Sequence, residues 1–329
     1  MKAAVYTRYG PPDVLEIKDV EKPVPADNEV LVRVHATTVC AADWRMRKAD
    51  PFLIRLMNGL SAPKKIHVLG IEFAGRIESV GKTVTRFRER DEVFGATGFK
   101  FGAHAEYVCV PADGVIETKP ANMTLEEAAA VFFGAGSALH FLRKAGIRAG
   151  QRVLVYGASG SVGVFAVQLA KHFGAHVTGV CSTRNVELVR SLGADEVVDY
   201  TKEDFSRAGR VYDIVCDTVG KSGFSRSLKS LVRGGAYVLI GYSGQLPSFL
   251  GGLVRGMWAS ATGAAKVIGG VAHVAAGDVS FLKGLIEAGT LRTVIDRRYS
   301  LDEIAEAHRY AEAGHKRGHV VIVLEQTSR

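Results

Sequence analysis

The stretch RVLVYGASGSVGVFAVQLAKHFGAHVTGVCST, residues 152–183, decides the fold. It opens with branched apolar residues typical of a buried strand, passes through a glycine turn, and continues as a helix and a second strand. The later segments YDIVCD and AYVL have the same strand pattern, and SRSLKSLVRGG between them is helical. Because buried strands and helices alternate, the sequence predicts an α/β fold with a doubly wound parallel sheet.

The glycine turn carries a phosphate-binding pattern. Ala158, Gly160 and Gly163 fill the three positions of the GxGxxG fingerprint, with alanine at the first. Glycine at 160 lets the backbone approach a pyrophosphate, and glycine at 163 lets the helix pack on the strand. A helix N-terminus also offers N–H groups and a partial positive charge to phosphates. The alternative is a turn that needs small residues for packing alone. We predict a Rossmann unit whose loop contacts the cofactor through Ala158, Ser159, Gly160, Ser161, Val162 and Gly163.

The tip of the second strand indicates which dinucleotide binds. An acidic residue at this tip would bond the ribose hydroxyls and repel a 2′-phosphate. The tip instead reads Ser182, Thr183 and Arg184, which would bind that phosphate. Charge-assisted bonds to arginine are the strong ones, so the sequence predicts NADPH over NADH. Tyr200, after the next strand, could lie against the adenine or the phosphate. The alternative is that Arg184 is a solvated residue opening the next helix.

The remaining sequence has a different pattern. The first 125 residues contain short strands, such as EVLVRVHAT and HAEYVCVP, separated by turn residues. A helical segment begins near Thr124, a candidate N-cap with Glu127 three residues later. After about residue 275, two amphipathic pieces precede a last strand, HVVIVL. We therefore predict domains at 1–125, 126–265 and 266–329.

Composition narrows the class of protein. The 329 residues are 47% hydrophobic and 23% charged, with a net charge of +8, which is typical of a globular protein. The basic residues are spread along the chain, which disfavours both nucleic acid and a membrane as partners. No apolar run is long enough for a membrane span. Four cysteines without a CxxC pair disfavour a zinc ribbon and a disulfide framework, and we expect a cytoplasmic location.

Several motifs together resemble one family. MKAAVYTRYGPPDVLEI, LGIEFAGRIESVG, RDEVFG, YGASGSVG and AHRYAEAGHKRGHVVIVL stand in the order and spacing of the medium-chain dehydrogenase/reductase superfamily, in its zinc-free quinone oxidoreductase (zeta-crystallin-like) branch. The resemblance implies a β-rich GroES-like catalytic domain, an inserted Rossmann NADP-binding domain and a C-terminal return to the catalytic domain. It also implies a homodimer.

The resemblance bears on metal binding. Zinc members place a cysteine, a His-Glu pair and a second cysteine around a catalytic metal. The matching positions here hold Cys40, Ile71-Glu72 and Phe132. Zinc needs about three protein ligands at a catalytic site, so we predict no metal and disfavour a zinc alcohol dehydrogenase.

Further site residues follow by position in the family. Cys40, Asp43 and Arg45 are expected near the nicotinamide and the substrate, although relatives often carry asparagine at position 40 and a tyrosine near 45. Cys40 as an ordinary buried thiol and Arg45 as a surface cation is the alternative. The other expected cofactor contacts are Ser137, Thr218, Val219, Ile240, Gly241, Tyr242, Lys316 and Arg317.

These observations favour one reaction. Hydride addition to a conjugated acceptor gives a delocalised enolate, so it needs no Lewis acid. We therefore predict an NADPH-dependent reductase of quinones or α,β-unsaturated carbonyls. Two alternatives stay open, namely an enoyl-thioester reductase and a non-catalytic NADPH-binding or RNA-binding protein.

Overall fold

The computed structural model describes residues 1–207, 209, 211–240 and 264–324. It contains two compact units. The first unit comprises residues 1–133, 275–289 and 293–329, and the second comprises residues 134–274 and 290–292. The first unit is built on a largely antiparallel sheet and the second on a parallel one, so the predicted α/β class is confirmed. The domain boundaries at 125 and 265 stay predictions.

The elements are numbered in chain order through the described residues. The strands are β1 (Lys2–Tyr6), β2 (Leu15–Asp19), β3 (Glu29–Thr38), β4 (Glu72–Val80), β5 (Glu92–Ala96), β6 (Tyr107–Pro111), β7 (Ile116–Thr118), β8 (Arg152–Tyr156), β9 (His176–Cys181), β10 (Glu196–Asp199), β11 (Tyr212–Asp217), β12 (Leu231–Leu239), β13 (Ala265–Gly269), β14 (Ile295–Ser300) and β15 (His319–Val323). The helices are α1 (Ala41–Lys48), α2 (Leu53–Asn58), α3 (Leu125–Ala129), α4 (Ser137–Ala145), α5 (Ser161–His172), α6 (Val186–Ser191), α7 (Phe224–Lys229), α8 (Ala276–Glu287) and α9 (Ile304–Glu312). In this part of the chain, no helix combines the length and apolarity needed to cross a bilayer.

The sheet of the first unit runs β14-β15-β3-β4-β5-β7, with β6 also paired to β3. The long strand β3 is antiparallel to β4, β6 and β15. Its alternating inward residues, such as Val30 and Val32, are fully buried with Phe73 and Ile322. The C-terminal strand β15 therefore completes the sheet that the N-terminal half begins, and it brings the 314–318 turn into this unit.

The second unit contains a parallel sheet in the order β10-β9-β8-β11-β12-β13. All strands are parallel, but the order in which the chain adds them to the sheet reverses between β8 and β11, which pair directly. Ligands of doubly wound sheets bind outside the carboxyl ends of the strands at such a switch point. Helix α5 is buried along most of its length because its residues 162–167 are apolar or glycine. The carboxyl end of β8 leads directly into the glycine turn.

The predicted helix after Thr124 forms with an interruption. The capping box is confirmed, because the Glu127 amide donates to Thr124 Oγ1 at 3.2 Å and the Thr124 amide donates to Glu127 Oε2 at 2.9 Å. Helix α3 ends at Ala129, and a π-helical turn at Phe132–Gly136 precedes α4. The Phe133 amide donates to the Glu72 carboxylate at 2.6 Å. This side-chain acceptor competes with a helical carbonyl, and π-turns often mark functional sites.

Candidate active site

The tightest point of the glycine turn in the second unit is Gly157, which is not one of the fingerprint positions that the sequence indicated. Gly157, just before the fingerprint, adopts a φ of 81°. A Cβ on Gly157 would lie 2.3 Å from Val219 Cγ2, and one on Gly163 would lie 2.1 Å from the Gly157 carbonyl oxygen. A Cβ on Gly160 would approach that oxygen only to 3.4 Å. Gly157 and Gly163 therefore hold the turn, while Gly160 leaves one side open for a ligand.

Helix α5 begins at this turn. Its N-cap is Gly160, which has no side chain to cap the first turn. A helix start offers N–H donors and a partial positive charge to an anion. The side chains of Ala158, Ser159, Ser161 and Val162 are buried, so the backbone forms the surface of the turn. These features fit the diphosphate of a dinucleotide.

The three predicted phosphate ligands follow β9, and an acid at the end of β10, which no sequence motif indicated, lies beside them. Thr183 and Arg184 are exposed, and Ser182 is half-buried. Thr183 Oγ1 donates to Asp199 Oδ2 at 2.5 Å. The Thr201 amide donates to Asp199 Oδ1 at 3.0 Å. The Thr183 hydrogen bond is the main reason that the pKa of Asp199 lies below its ordinary value. A carboxylate therefore lies beside the predicted phosphate ligands, with its oxygens already engaged.

Tyr200 lies at a cavity of about 380 Å³ in the second unit. The Tyr156 and Tyr200 rings stack with centroids 6.5 Å apart and an interplanar angle of 29°. The cavity is lined by Tyr156, Tyr200, Thr201, Lys202, Glu203, Asp204, Phe205 and Arg226. Sequence reasoning found only Tyr200 among these residues, because the turn after β10 has no fixed motif. Aromatic rings with nearby cations suit an adenine and a phosphate.

The other predicted contacts of this unit lie at strand ends or at a helix start. Thr218 Oγ1 donates to the Tyr156 carbonyl at 2.9 Å. Val219 follows it, Ile240 follows β12, and Ser137 opens α4. Gly241 and Tyr242 lie outside the described residues.

Asp217 shapes the turn after β11, although no sequence motif indicated it. Its buried carboxylate accepts the amides of Val219 at 3.0 Å, Gly220 at 2.7 Å and Ser222 at 2.9 Å. This side chain therefore holds residues 218–222 in a fixed conformation.

The predicted catalytic residues lie in the first unit, around the start of α1. Cys40 and Asp43 are buried. The Cys40 amide donates to Asp43 Oδ2 at 2.8 Å, and the Gly70 amide donates to Asp43 Oδ1 at 2.9 Å. Asp43 thus joins α1 to the chain before β4. The Arg45 guanidinium lies over the Trp44 ring, 5.2 Å from its centroid.

Glu72 is a buried carboxyl with two donors. Its side chain accepts the Phe133 amide at 2.6 Å and the Thr38 hydroxyl. Burial raises the pKa of Glu72 to about 7, and these two hydrogen bonds oppose that rise. Burial also raises the pKa of the Cys40 thiol well above its ordinary value, and the charges of Asp43 and Glu72 add to the effect. The Cys40 side chain is therefore a neutral thiol at physiological pH.

Lys316 and Arg317 also belong to the first unit. Burial lowers the pKa of Lys316 to about 8, while the nearby acids Glu72 and Asp296 partly restore it. Lys316 Nζ donates to the Gly318 carbonyl at 2.8 Å. Arg317 is exposed, and its amide donates to Asp296 Oδ2 at 2.8 Å. Lys316 therefore interacts electrostatically with the group that contains Cys40 and Glu72. The sequence alone did not indicate that these three residues lie together.

A second buried polar group lies in the first unit, and sequence reasoning missed it. His104 Nε2 lies 2.9 Å from the Thr38 carbonyl, so it donates there. The His104 and His308 rings meet edge to face, 5.5 Å apart. The fully buried Arg47 donates from Nε to His308 Nδ1 at 3.4 Å and pairs with Glu312. His104 and His308 are far apart in the sequence, so only the fold brings them together.

The comparisons with known proteins agree with this geometry. A family model described as "Alcohol dehydrogenase GroES-like domain" matches residues 26–120, and one described as "Zinc-binding dehydrogenase" matches residues 192–322. A 2-methylene-furan-3-one reductase of Solanum lycopersicum is 33% identical over 98% of this chain and 79% of its own. An NADPH-dependent alkenal/one oxidoreductase of Arabidopsis thaliana is 31% identical over 98% of this chain and 79% of its own. The quinone oxidoreductase of Coxiella burnetii has a solved structure with a TM-score of 0.87 and 30% identity, covering 99% of each chain.

The two-unit fold, with a GroES-like sheet and a Rossmann-like sheet, defines the class. The chain belongs to the medium-chain dehydrogenase/reductase superfamily, in its quinone oxidoreductase branch.

The name of one family model raises the question of zinc. Within residues 1–207, 209, 211–240 and 264–324, no group of three histidine, cysteine or acidic side chains could hold a metal ion. Of the positions that match the zinc ligands of the family, only Cys40 and Glu72 carry a donor atom, and both oxygens of Glu72 already accept hydrogen bonds from Thr38 and Phe133. Ile71 and Phe132 supply no ligand atom. The donor set does not fit a catalytic zinc, which needs about three ligands.

Proposed function

We propose that this protein binds NADPH and reduces quinones or α,β-unsaturated carbonyl compounds without zinc. The observation that carries the proposal is the open Gly160 turn at the start of α5, together with a first unit whose described residues contain no zinc donor set. We also propose a homodimer, from the family resemblance, and a cytoplasmic location.

The second unit supplies most of the proposed cofactor contacts. The Gly160 turn and the start of α5 would hold the diphosphate. Ser182, Thr183 and Arg184 would hold the 2′-phosphate, with Tyr200 beside it. The Thr183–Asp199 hydrogen bond orients the threonine hydroxyl, but it also places a negative charge near that phosphate. Selectivity for NADPH therefore depends on Arg184. The remaining proposed contacts are Ser137, Thr218, Val219, Ile240, Gly241, Tyr242, Lys316 and Arg317.

When bound, NADPH supplies the hydride, which adds to the β-carbon of an enone or to the ring system of a quinone. The first unit must then stabilise negative charge on the substrate oxygen and supply a proton. Lys316 suits this second task, because its pKa of about 8 lets Nζ hold a proton at neutral pH and release it more easily than an exposed lysine. We propose that Cys40, Asp43 and Arg45 border the substrate. Asp43 acts by fixing α1, since both of its oxygens accept backbone amides.

The first experiment measures NADPH and NADH oxidation with 1,4-benzoquinone and a short alkenal as acceptors. We expect turnover of at least one acceptor, with NADPH preferred by about one to two orders of magnitude. Arg184→Ala should remove most of that preference by raising the KM for NADPH. Arg190→Ala is a matched control, because Arg190 is another exposed cation of this unit, paired with Glu187. An unchanged KM in the Arg184 variant would disprove this part of the proposal.

Two further arms separate the remaining alternatives. Turnover of crotonyl-CoA, without turnover of quinone or alkenal, would identify an enoyl-thioester reductase. Tight NADPH binding without oxidation by any acceptor would favour a non-catalytic NADPH-binding or RNA-binding protein. Elemental analysis of the purified protein tests the proposal that no zinc is bound, and stoichiometric zinc would overturn that proposal.

A further inference from the structure

The first unit exposes an apolar helical face. Phe52, Leu53, Leu56, Met57 and Leu60 are each more than half exposed. Phe52, Leu53, Leu56 and Met57 stand at intervals of one, three and four residues at the start of α2 and within it, so they share one side of the helical turn. Leu60 comes just after Gly59, which ends the helix. We call these five residues the apolar ridge. Surface helices normally show polar residues to solvent, and a contiguous exposed apolar patch marks an interaction site.

The base of the segment is held in place by one side chain. Asn58 Nδ2 donates to Tyr6 Oη at 2.9 Å, and Asn58 Oδ1 accepts the amides of Lys65 at 3.1 Å and Ile66 at 2.8 Å. Tyr9 Oη donates to the Gly59 carbonyl at 2.8 Å. Asn58 is almost fully buried. Hydrogen bonds therefore hold the backbone beneath the ridge, so the exposure of the ridge does not result from a loosely attached segment.

Positive charges outnumber negative ones in the sequence beside the ridge. From Pro51 to Ile71 the sequence contains no acidic residue, although Asp50 stands just before this stretch. Lys64 and Lys65 are exposed, and the partly exposed Arg55 lies over the Tyr9 ring, 4.9 Å from its centroid. Apolar side chains flanked by cations match the boundary of an anionic bilayer, where acyl chains lie below negative headgroups.

We propose that the apolar ridge, with Arg55, Lys64 and Lys65, docks this protein on the surface of an anionic phospholipid bilayer. A second copy of the chain is a poorer partner, because a symmetric contact through this face would bring like charges together. A small substrate would cover only part of a ridge whose five side chains all project outward. The attachment is peripheral. It would bring the enzyme close to apolar acceptors that dissolve in lipid, but it does not depend on the proposed reaction.

The test is flotation of the full-length protein with vesicles of phosphatidylcholine alone or mixed with phosphatidylglycerol. We expect binding to the mixed vesicles and at least about tenfold weaker binding to the neutral ones. Raising salt to about 1 M, where the screening length is about 3 Å, should release the protein. Leu56→Ser with Met57→Ser should abolish flotation, and Lys64→Gln with Lys65→Gln should weaken it about tenfold.

Phe99→Ser is the matched control, because Phe99 is also largely exposed in the first unit but lies outside the ridge. Each variant should keep the melting temperature of the parent, which separates lost docking from lost folding. Equal flotation of the Phe99 and Leu56/Met57 variants would overturn the proposal, as would no flotation of the parent protein. Conversion of a dimer to a monomer by the Leu56/Met57 change, measured by light scattering, would instead assign the ridge to a contact between copies.

Discussion

The glycine turn of the second unit and the buried polar group of the first unit differ in what builds them. At the turn, backbone conformation and the absence of side chains make the surface, so Gly157, Gly160 and Gly163 carry the design. Around Glu72, a buried carboxyl accepts hydrogen bonds from a hydroxyl and a backbone amide in distant parts of the chain. The first kind of site is sensitive to added volume, and the second to lost hydrogen bonds and to pH.

The largest expected effect breaks the turn. Gly163→Ala would place a methyl group 2.1 Å from the Gly157 carbonyl oxygen, so the helix must move. We expect the free energy of unfolding to fall by about 3 kcal/mol or more, with loss of NADPH binding. Gly160→Ala is the control, because its Cβ meets only one atom, at 3.4 Å. It should keep the stability and still weaken NADPH binding. Equal unfolding midpoints of the two variants in urea would contradict this account.

The next effect concerns Glu72. Glu72→Ala would leave the Phe133 amide and the Thr38 hydroxyl without their acceptor, at a cost of about 2–4 kcal/mol of unfolding free energy. Glu72→Gln keeps one acceptor oxygen and should lose about half as much. Glu78→Gln, on the same strand but exposed, should change stability by less than about 0.5 kcal/mol. Urea denaturation of the three variants gives the comparison, and an unchanged Glu72→Ala midpoint would show that the two donors find other partners.

A third effect is the pH dependence of the first unit. Burial lowers the pKa of His308 well below its ordinary value and that of His319 to about 3. Below about pH 6.5 the unfolded chain protonates these histidines and the folded chain does not, so their contribution to stability falls as pH falls. Glu72, with its pKa raised to about 7, offsets part of this fall. The slope approaches about 1.4 kcal/mol per pH unit for each histidine. Thermal melts between pH 7 and pH 4 measure it. His308→Gln should flatten the slope, and the exposed His176→Gln should not.

The smallest expected effect concerns the proposed 2′-phosphate site. Asp199→Asn would remove a negative charge beside Thr183 while keeping a polar side chain. Since like charges repel, the KM for NADPH should fall about two- to fivefold, with little change for NADH. Asp195→Asn, whose partner is Lys171, serves as the control of equal charge change. A higher KM for NADH instead would show that Asp199 acts on the ribose hydroxyls.

The sequence predicted the parts of the molecule that depend on local pattern. The strand–turn–helix around Gly160 and the Thr124–Glu127 cap need only residues close in the chain. Local sequence patterns could not indicate that Asp199 lies beside Thr183. Thr183 follows β9 and Asp199 ends β10, and the pairing of these two strands depends on the whole sheet. Local patterns also missed the His104–His308 contact, which requires β15 and α9 to return to the first unit. Gly157 was missed for a simpler reason, since the fingerprint begins one residue later.

The position of β15 has a consequence for biosynthesis. Strand β3 pairs with β15, which is separated from it by most of the chain. During synthesis the second unit can therefore complete its sheet while β3 still lacks this neighbour. We expect nascent chains stopped before residue 319 to contain a protease-resistant second unit and a cleavable first one, because domains fold as units as they leave the ribosome.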